Sequence, residues 1–168
     1  MNLLPMIVAG LALDEKNQAP LLILKDRQEK FVLPIWVGGL EAVSISMPLN
    51  NVVMPRPMTH DLILNLLHEM DASLTRVEIT ELRDSTYYAR LVLMQKDEPI
   101  YIDSRPSDAV ALALRAEVPI LANEEMLQTL KSDEGKNYQV VLDEAASGDD
   151  RWSEILKNFD PDKTKYEM

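Results

Sequence analysis

The sequence contains no cysteine among its 168 residues, which excludes disulfide bonds, thiolate zinc sites and cysteine nucleophiles. Any metal ion must therefore be held by oxygen ligands or by the two histidines, His60 and His68. Long apolar runs are missing too. The N-terminal run has no Lys or Arg before it and stops at Asp14, well short of the roughly 20 residues that a membrane helix needs. These absences predict a cytoplasmic protein with no membrane span.

Basic residues are scarce, with 17 Lys and Arg against 28 Asp and Glu and a net charge of −11. Such a balance opposes simple electrostatic capture of a nucleic acid. The excess of acidic residues is concentrated in the C-terminal third of the chain. Between residues 56 and 116 every basic residue except Lys96 is arginine, a side chain that suits bidentate contacts to phosphate or carboxylate. Structural ion pairs with Glu78 and Glu81 are the alternative explanation for these arginines.

Apolar periodicity predicts three strands followed by two helices, an order that then occurs a second time. The first half has strands at 6–13, 20–25 and 31–37 and helices at 40–49 and 58–70; the second half has strands at 74–82, 86–95 and 99–103 and helices at 106–116 and 123–130. A shift of 67 residues lays "IWVGGLEAVSI" on "IDSRPSDAVAL" and gives Glu41 and Asp108 equivalent positions. We therefore expect the two to face a common seam.

The predicted organisation is one domain over residues 1–132, built from a first repeat (1–72) and a second repeat (73–132). Residues 133–168 form an acidic C-terminal extension, with a candidate strand at 138–142. Trp152, Ile155, Leu156 and Phe159 recur at helical spacing in it, so a short amphipathic helix that docks on the domain is expected there.

The stretch "DSRPSD" (103–108) places five charged or hydroxyl-bearing side chains at one strand-to-helix corner. A structural explanation covers part of it: Ser104 can cap the helix, Pro106 suits the first turn, and Asp108 complements the helix dipole. This explanation does not cover Asp103 and Arg105, for which an ion pair between the two side chains is the simplest structural explanation. The alternative is a functional site on a rigid helix.

Several motifs together resemble the bifunctional nuclease domain family: "LPIWVGGLEA", "RPMTHDL", "STYYARLVL", "IDSRPSDAVALALR" and the closing "FDPDKTKYEM". The resemblance implies an α+β fold in which two β3α2 repeats surround a mixed, barrel-like sheet, followed here by the short C-terminal helix. It also implies an oligomer and an activity toward both RNA and DNA. Antiparallel edge strands and the apolar N-terminal run favour a homodimer or higher homo-oligomer. The family motif positions present are Glu41, Arg56, Pro57, Thr59, His60, Asp61, Asp103, Ser104, Arg105, Pro106, Ser107, Asp108 and Arg115.

Phosphodiester hydrolysis requires an activated water, stabilisation of charge on the phosphoryl oxygens and a proton for the leaving group. The candidate catalytic residues are Glu41, His60, Asp61, Asp103, Arg105 and Asp108. The four carboxylates would suit Mg²⁺ or Mn²⁺, an arginine would clamp the phosphate, and His60 would carry the proton. Arg56, Ser104 and Ser107 are the candidate substrate-binding residues.

Each of these assignments has a structural rival. His60 and Asp61 could simply occupy the first turn of a helix, and the same corner could serve a non-catalytic regulatory module that binds an anion, a nucleotide or a protein. No organic cofactor is predicted, because neither a Walker lysine nor GxGxxG follows "VGG" (37–39). Tyr87 and Tyr88 could stack on bases, although one of the two should face the core because successive strand residues point to opposite faces.

Overall fold

The chain forms one mixed sheet with helices packed against it, in a computed structural model that describes residues 2–13 and 19–134. Within these ranges the strands are β1 (Leu3–Leu13), β2 (Pro20–Asp26), β3 (Val32–Trp36), β4 (Ala72–Arg83), β5 (Thr86–Gln95), β6 (Glu98–Ser104) and β7 (Ile120–Asn123). The helices are α1 (Gly39–Leu49), α2 (Thr59–Glu69), α3 (Pro106–Ala116) and α4 (Glu124–Glu134).

The strand order is β3-β2-β1-β7-β4-β5-β6. All neighbouring strands are antiparallel except β4 and β7, which run parallel. The predicted α+β class is therefore confirmed, as is the antiparallel meander of β1, β2 and β3. The sheet does not close on itself in the described part of the chain, so "barrel-like" fits it only loosely.

Two hairpin turns of the second half have the backbone that tight hairpins require. Asp84 and Ser85 join β4 to β5, Lys96 and Asp97 join β5 to β6, and all four residues have φ between 50° and 62°. Positive φ at both central residues defines the type I′ turn, whose twist matches that of the flanking strands. The predicted turns "RDST" and "KDE" are thus confirmed, with Asp providing one left-handed residue in each.

The element β7 was not predicted. It occupies only Ile120–Asn123 but pairs on both sides, with β1 and with β4, and so joins the two halves of the sheet. Each half otherwise contributes three strands and two helices in the predicted order. The duplication and the boundaries 1–72, 73–132 and 133–168 stay predictions, and the strand and short helix expected in the C-terminal extension lie outside the described residues.

The core lies between the sheet and the helices. Alternate residues of β5, Ala89, Leu91 and Leu93, are 7% exposed or less and contact the apolar face of α3. Five consecutive residues of α3, from Ala109 to Ala113, are at most 2% exposed, so small side chains let this helix lie close to both the sheet and α1. Full burial of each large aliphatic side chain contributes roughly 1.5–3 kcal/mol. The buried body of α3 makes its N-terminal end a rigid base for polar groups.

Candidate active site

The polar cluster is assembled where α1, α2 and α3 meet. Glu41 lies in the first turn of α1, His60 in the first turn of α2 and Asp108 in the first turn of α3. Arg105 precedes α3 and is its N-cap residue. Three segments distant in sequence therefore place charged side chains together, and the expectation that Glu41 and Asp108 share a seam agrees with this geometry.

Arg105 is bonded to both carboxylates. Its Nε donates to Oδ2 of Asp108 at 2.6 Å, one terminal nitrogen donates to Oδ1 of Asp108 at 3.0 Å, and the other donates to Oε1 of Glu41 at 2.9 Å. The arginine side chain is nevertheless 64% exposed. A guanidinium has five N–H donors, and these three bonds are the ones it makes within the described part of the chain. One hydrogen on each terminal nitrogen is left to bind a ligand.

Asp108 links the arginine to His60. Its Oδ1 lies 3.2 Å from Nε2 of His60, whose side chain is 11% exposed. Burial by itself raises the pKa of the Asp108 carboxyl, but the hydrogen bonds and charges of Arg105 and His60 outweigh it, so this pKa lies below its ordinary value. The hydrogen bonds to Asp108 and Glu41, and the charges of these two carboxylates, raise the pKa of Arg105. Asp108 is therefore a carboxylate at neutral pH and accepts a hydrogen from Nε2 of His60.

The cluster lines an open cleft of about 410 Å³. Apolar side chains of Leu40, Met58 and Ile63 form part of its wall, beside the polar groups of Glu41, His60, Arg105 and Asp108. Leu40 is 83% exposed. The arrangement combines a fixed cation, an orienting carboxylate and a histidine in a space that a ligand can enter, which is the combination expected of a site for an oxyanion.

Asp61 belongs to the supporting structure. One of its carboxylate oxygens accepts the backbone N–H of Met58 at the start of α2. The other accepts Nε of Arg115 at 2.9 Å, and Arg115 also donates to the backbone carbonyls of Ser44 and Ala111 at 2.8 Å each. The pair thus ties α1, α2 and α3 together, which agrees with the structural explanation for Asp61.

Asp103 lies apart from the cluster. It is paired in register with Arg90 across β5 and β6 and lines a different cleft. The expected ion pair between Asp103 and Arg105 is not formed, because Arg105 lies beyond the end of β6 and turns toward α1. That structural alternative was wrong.

The remaining predicted residues, Ser104, Ser107 and Arg56, do not line the cleft. Ser104 donates its hydroxyl hydrogen to the carbonyl of Arg105 at 3.0 Å instead of capping α3, so the predicted cap was wrong. Ser107 is 7% exposed in the first turn of α3. Arg56 is exposed in the loop between α1 and α2. Among the described residues no group of three or more Asp, Glu or His is placed to hold a metal ion.

Gly38 also contributes to the geometry of the cluster, although it was not predicted to be a site residue. A Cβ added there would overlap Oε2 of Glu41, whereas one added at Gly39 would meet nothing within 4 Å. The absence of a side chain at Gly38 therefore leaves room for the Glu41 carboxylate to reach Arg105. In the sequence, the only indication of this role is that Gly38 precedes Glu41 by three residues.

The fold and the cluster define an α+β domain with an arginine, two carboxylates and a histidine around an open cleft. The family model of the bifunctional nuclease domain matches residues 22–134, about two thirds of the chain. The chain belongs to the bifunctional nuclease domain family, which confirms the resemblance noted in its motifs.

Relatives fall into two groups. An uncharacterized protein of Mycobacterium tuberculosis is 36% identical over 164 residues, covering 94% of this chain and 96% of that one. Bifunctional nuclease 1 of Oryza sativa is 32% identical over 110 residues, and Bifunctional nuclease 1 of Arabidopsis thaliana is 29% identical over 108 residues. These matches cover 64% and 62% of this chain but only 33% of each plant protein.

No helix among residues 2–13 and 19–134 combines the length and apolar character needed to cross a membrane. The cytoplasmic location stays a prediction.

Proposed function

We propose that this protein is a nuclease of low sequence specificity that hydrolyses phosphodiester bonds of RNA or DNA in the cleft around Arg105. The bonding of Arg105 carries the proposal. Asp108 and Glu41 hold its guanidinium in place while leaving a hydrogen on each terminal nitrogen, a pattern that suits two oxygens of one phosphate. Membership of a family that includes proteins named bifunctional nucleases supports the same chemistry.

In the proposed mechanism Arg105 binds the scissile phosphate and stabilises charge on its oxygens as water attacks. His60 carries a proton between water or leaving group and solvent, with Asp108 fixing its orientation through Nε2. Glu41 positions Arg105 from the opposite side. The proposed steps use side chains alone.

The prediction of Mg²⁺ or Mn²⁺ fits the described residues poorly. Asp61 is engaged with Arg115 and Asp103 lines another cleft, which leaves Glu41 and Asp108, both bonded to Arg105. The metal requirement stays a prediction, and a chelator tests it. Cleavage that is abolished by the chelator would support a metal requirement, and an unchanged rate would contradict it.

The decisive test compares His60→Gln with His68→Gln, prepared in parallel and checked for folding by thermal unfolding. His60 lines the cleft, whereas His68 is exposed near the end of α2. Loss of a proton carrier costs about 10²- to 10⁴-fold in rate, so cleavage of end-labelled single-stranded oligonucleotides should fall by that factor in His60→Gln alone. Equal cleavage by both variants would show that the observed activity does not depend on His60 and would end the proposal.

A second candidate function is a non-catalytic module that binds an anion, nucleotide or partner at the same cleft. Two observations favour it: Asp61 and Asp103 are engaged away from Glu41 and Asp108, and the net charge is −11. Under this alternative, Arg105→Ala would abolish anion binding in a protein that never cleaves.

Assembly as a homodimer or higher homo-oligomer is proposed from an exposed apolar stripe along α2 and its C-cap residue, Met70. Leu62, Leu66 and Met70 recur four residues apart and are 51%, 53% and 62% exposed. Periodic apolar residues of this kind mark an interaction face. Sedimentation velocity should show a dimer or larger species that dissociates in Leu62→Glu/Leu66→Glu; a monomeric wild type would contradict the proposal.

Gly38→Ala should weaken cleavage by about tenfold to 100-fold, because an added methyl group displaces the carboxylate that holds Arg105. The backbone at Gly38, with φ −75° and ψ 165°, suits alanine, so the unfolding temperature should hardly change. Gly39→Ala is the matched control and should cleave at the wild-type rate. Unaltered cleavage by Gly38→Ala would show that the bond between Glu41 and Arg105 is not needed.

A further inference from the structure

A second polar cleft, separate from the cluster around Arg105, lies on the sheet face turned away from the helices. Its volume is about 480 Å³, and its walls include Tyr88, Arg90, Tyr101, Asp103 and Asn123. Residues directly opposite each other on antiparallel strands share a face. Arg90 is opposite Asp103, and Val92 is opposite Tyr101, so these side chains lie on one side of the sheet while Leu91 and Leu93 face the core.

The arginine in this cleft is held in place by a buried acid. Glu78 is 0% exposed and accepts Nε of Arg76 at 2.7 Å and Nε of Arg90 at 2.6 Å. Both arginine side chains remain about one third exposed. Their terminal N–H groups donate no hydrogen bond within the described part of the chain, so each presents a fixed guanidinium fork to solvent.

Two tyrosine rings of the cleft each lie against an arginine, Tyr101 against Arg90 and Tyr88 against Arg83. The guanidinium of Arg90 is 4.7 Å from the ring centroid of Tyr101, and that of Arg83 is 4.4 Å from the ring centroid of Tyr88. Tyr101 is 53% exposed, so its side chain is accessible to a ligand. A flat ring backed by a guanidinium is the surface on which unpaired bases stack, whatever their sequence.

A carboxylate at the same cleft suits the amino group of a base. The Asp103 carboxylate can accept from an exocyclic amino group, as carboxylates do from cytosine, and it disfavours a phosphate at that position. The chemistry therefore favours a nucleobase over an isolated phosphate.

The position of this cleft relative to Arg105 suggests how the two surfaces are used. Tyr101 precedes Ser104, the last residue of β6, by three residues, about 10 Å at 3.3 Å per residue, and Arg105 follows directly. That distance is about three steps of a stacked strand at 3.4 Å each. β6 is the last strand of the described sheet on that side, so a nucleic acid strand can pass around its edge from one face to the other.

We propose that the face formed by Tyr88, Arg90, Tyr101 and Asp103 binds an unpaired base of a single-stranded nucleic acid a few nucleotides from the bond cleaved near Arg105. The inference rests on the proposed nuclease function for the position of that bond. It makes single strands the substrate class, because a paired base cannot stack on Tyr101.

The test measures binding of a 5′-fluorescein 15-nucleotide single strand by fluorescence anisotropy, with the full chain carrying His60→Gln so that cleavage is slow. Adding Tyr101→Ala should weaken binding about tenfold, while Tyr101→Phe keeps the ring and should stay within twofold of the parent. Ile100→Ala, on the opposite face of β6, should have no effect. Tyr101→Leu keeps apolar bulk without the ring and should behave like alanine, which separates stacking from loss of folding.

The affinity for a 15-base-pair duplex should not respond to any Tyr101 variant. Equal single-strand affinity of the parent, Tyr101→Ala and Tyr101→Leu would overturn the inference, as would equal weakening of single-strand and duplex binding. Binding is read independently of cleavage. A protein that binds through Tyr101 but never cleaves would refute the nuclease proposal alone, and one that cleaves with no dependence on Tyr101 would refute this inference alone.

Discussion

Replacement of Arg105 by alanine is expected to lower the rate of oligonucleotide cleavage by a factor of about 100 to 1,000, the usual cost of removing a group that stabilises charge in the transition state. The side chain is 64% exposed and contributes little to the core, so the protein should remain folded. Arg105→Lys should recover little activity, because an ammonium cannot bond Glu41, Asp108 and two phosphate oxygens in one plane.

Arg56→Ala is the matched control for this prediction. Arg56 is also an exposed arginine of the family motif, but it does not line the cleft. Arg56→Ala should change the cleavage rate by less than about threefold, because an exposed arginine outside the cleft adds only a weak, screened attraction to the phosphate backbone. Equal losses in Arg56→Ala and Arg105→Ala would mean that general charge, and not the fixed guanidinium, supports the activity.

Replacement of Glu78 by alanine is expected to give a large loss of stability, about 3 kcal/mol in the free energy of unfolding. The carboxylate is fully buried and accepts charge-assisted hydrogen bonds from two arginines. Each such bond contributes roughly 1.5–3 kcal/mol, and removing one member of a buried ion pair leaves its partners uncompensated. Denaturant unfolding followed by circular dichroism measures the change.

Glu81→Ala is the control in the same strand. Glu81 pairs with Arg83 at 3.7 Å, and both side chains are more than half exposed. Exposed pairs of this kind contribute little, so its unfolding curve should overlay that of the wild type. Glu78→Gln retains the volume and should fall between the two. Coincident curves for Glu78→Ala and Glu81→Ala would show that the arginines do not depend on the buried acid.

Most strands and helices could be predicted because the pattern that identifies each of them lies within that one strand or helix. Alternation over Thr86–Gln95 gave β5 its bounds, and Pro106 marked the start of α3. The prediction that one of Tyr87 and Tyr88 faces the core is confirmed, since Tyr87 packs against it. Strand β7 could not be predicted, because four residues show little periodicity. Its pairing with β1 and β4, which are remote in sequence, stabilises it.

The candidate site was predictable to the extent that it depends on helix starts. Glu41, His60 and Asp108 all lie in first turns, where the sequence places polar residues before apolar ones. Asp103 was grouped with Arg105 from proximity in sequence, but it shares a strand face with Tyr101 two residues earlier, whereas Arg105 has left the strand. Such a change of direction at a strand end is set by tertiary packing. The pairing of Asp61 with Arg115, 54 positions apart, likewise carries no local signal.

The most direct test of the central claim follows the guanidinium Nε–Hε and imidazole signals of the ¹⁵N-labelled protein by NMR while thymidine 3′,5′-bisphosphate is added. If phosphate binds in the cleft, the signals of Arg105 and His60 should shift along one saturable curve while that of Arg115, bonded within the scaffold, stays in place. Unmoved signals of Arg105 and His60 at saturating ligand would contradict the account.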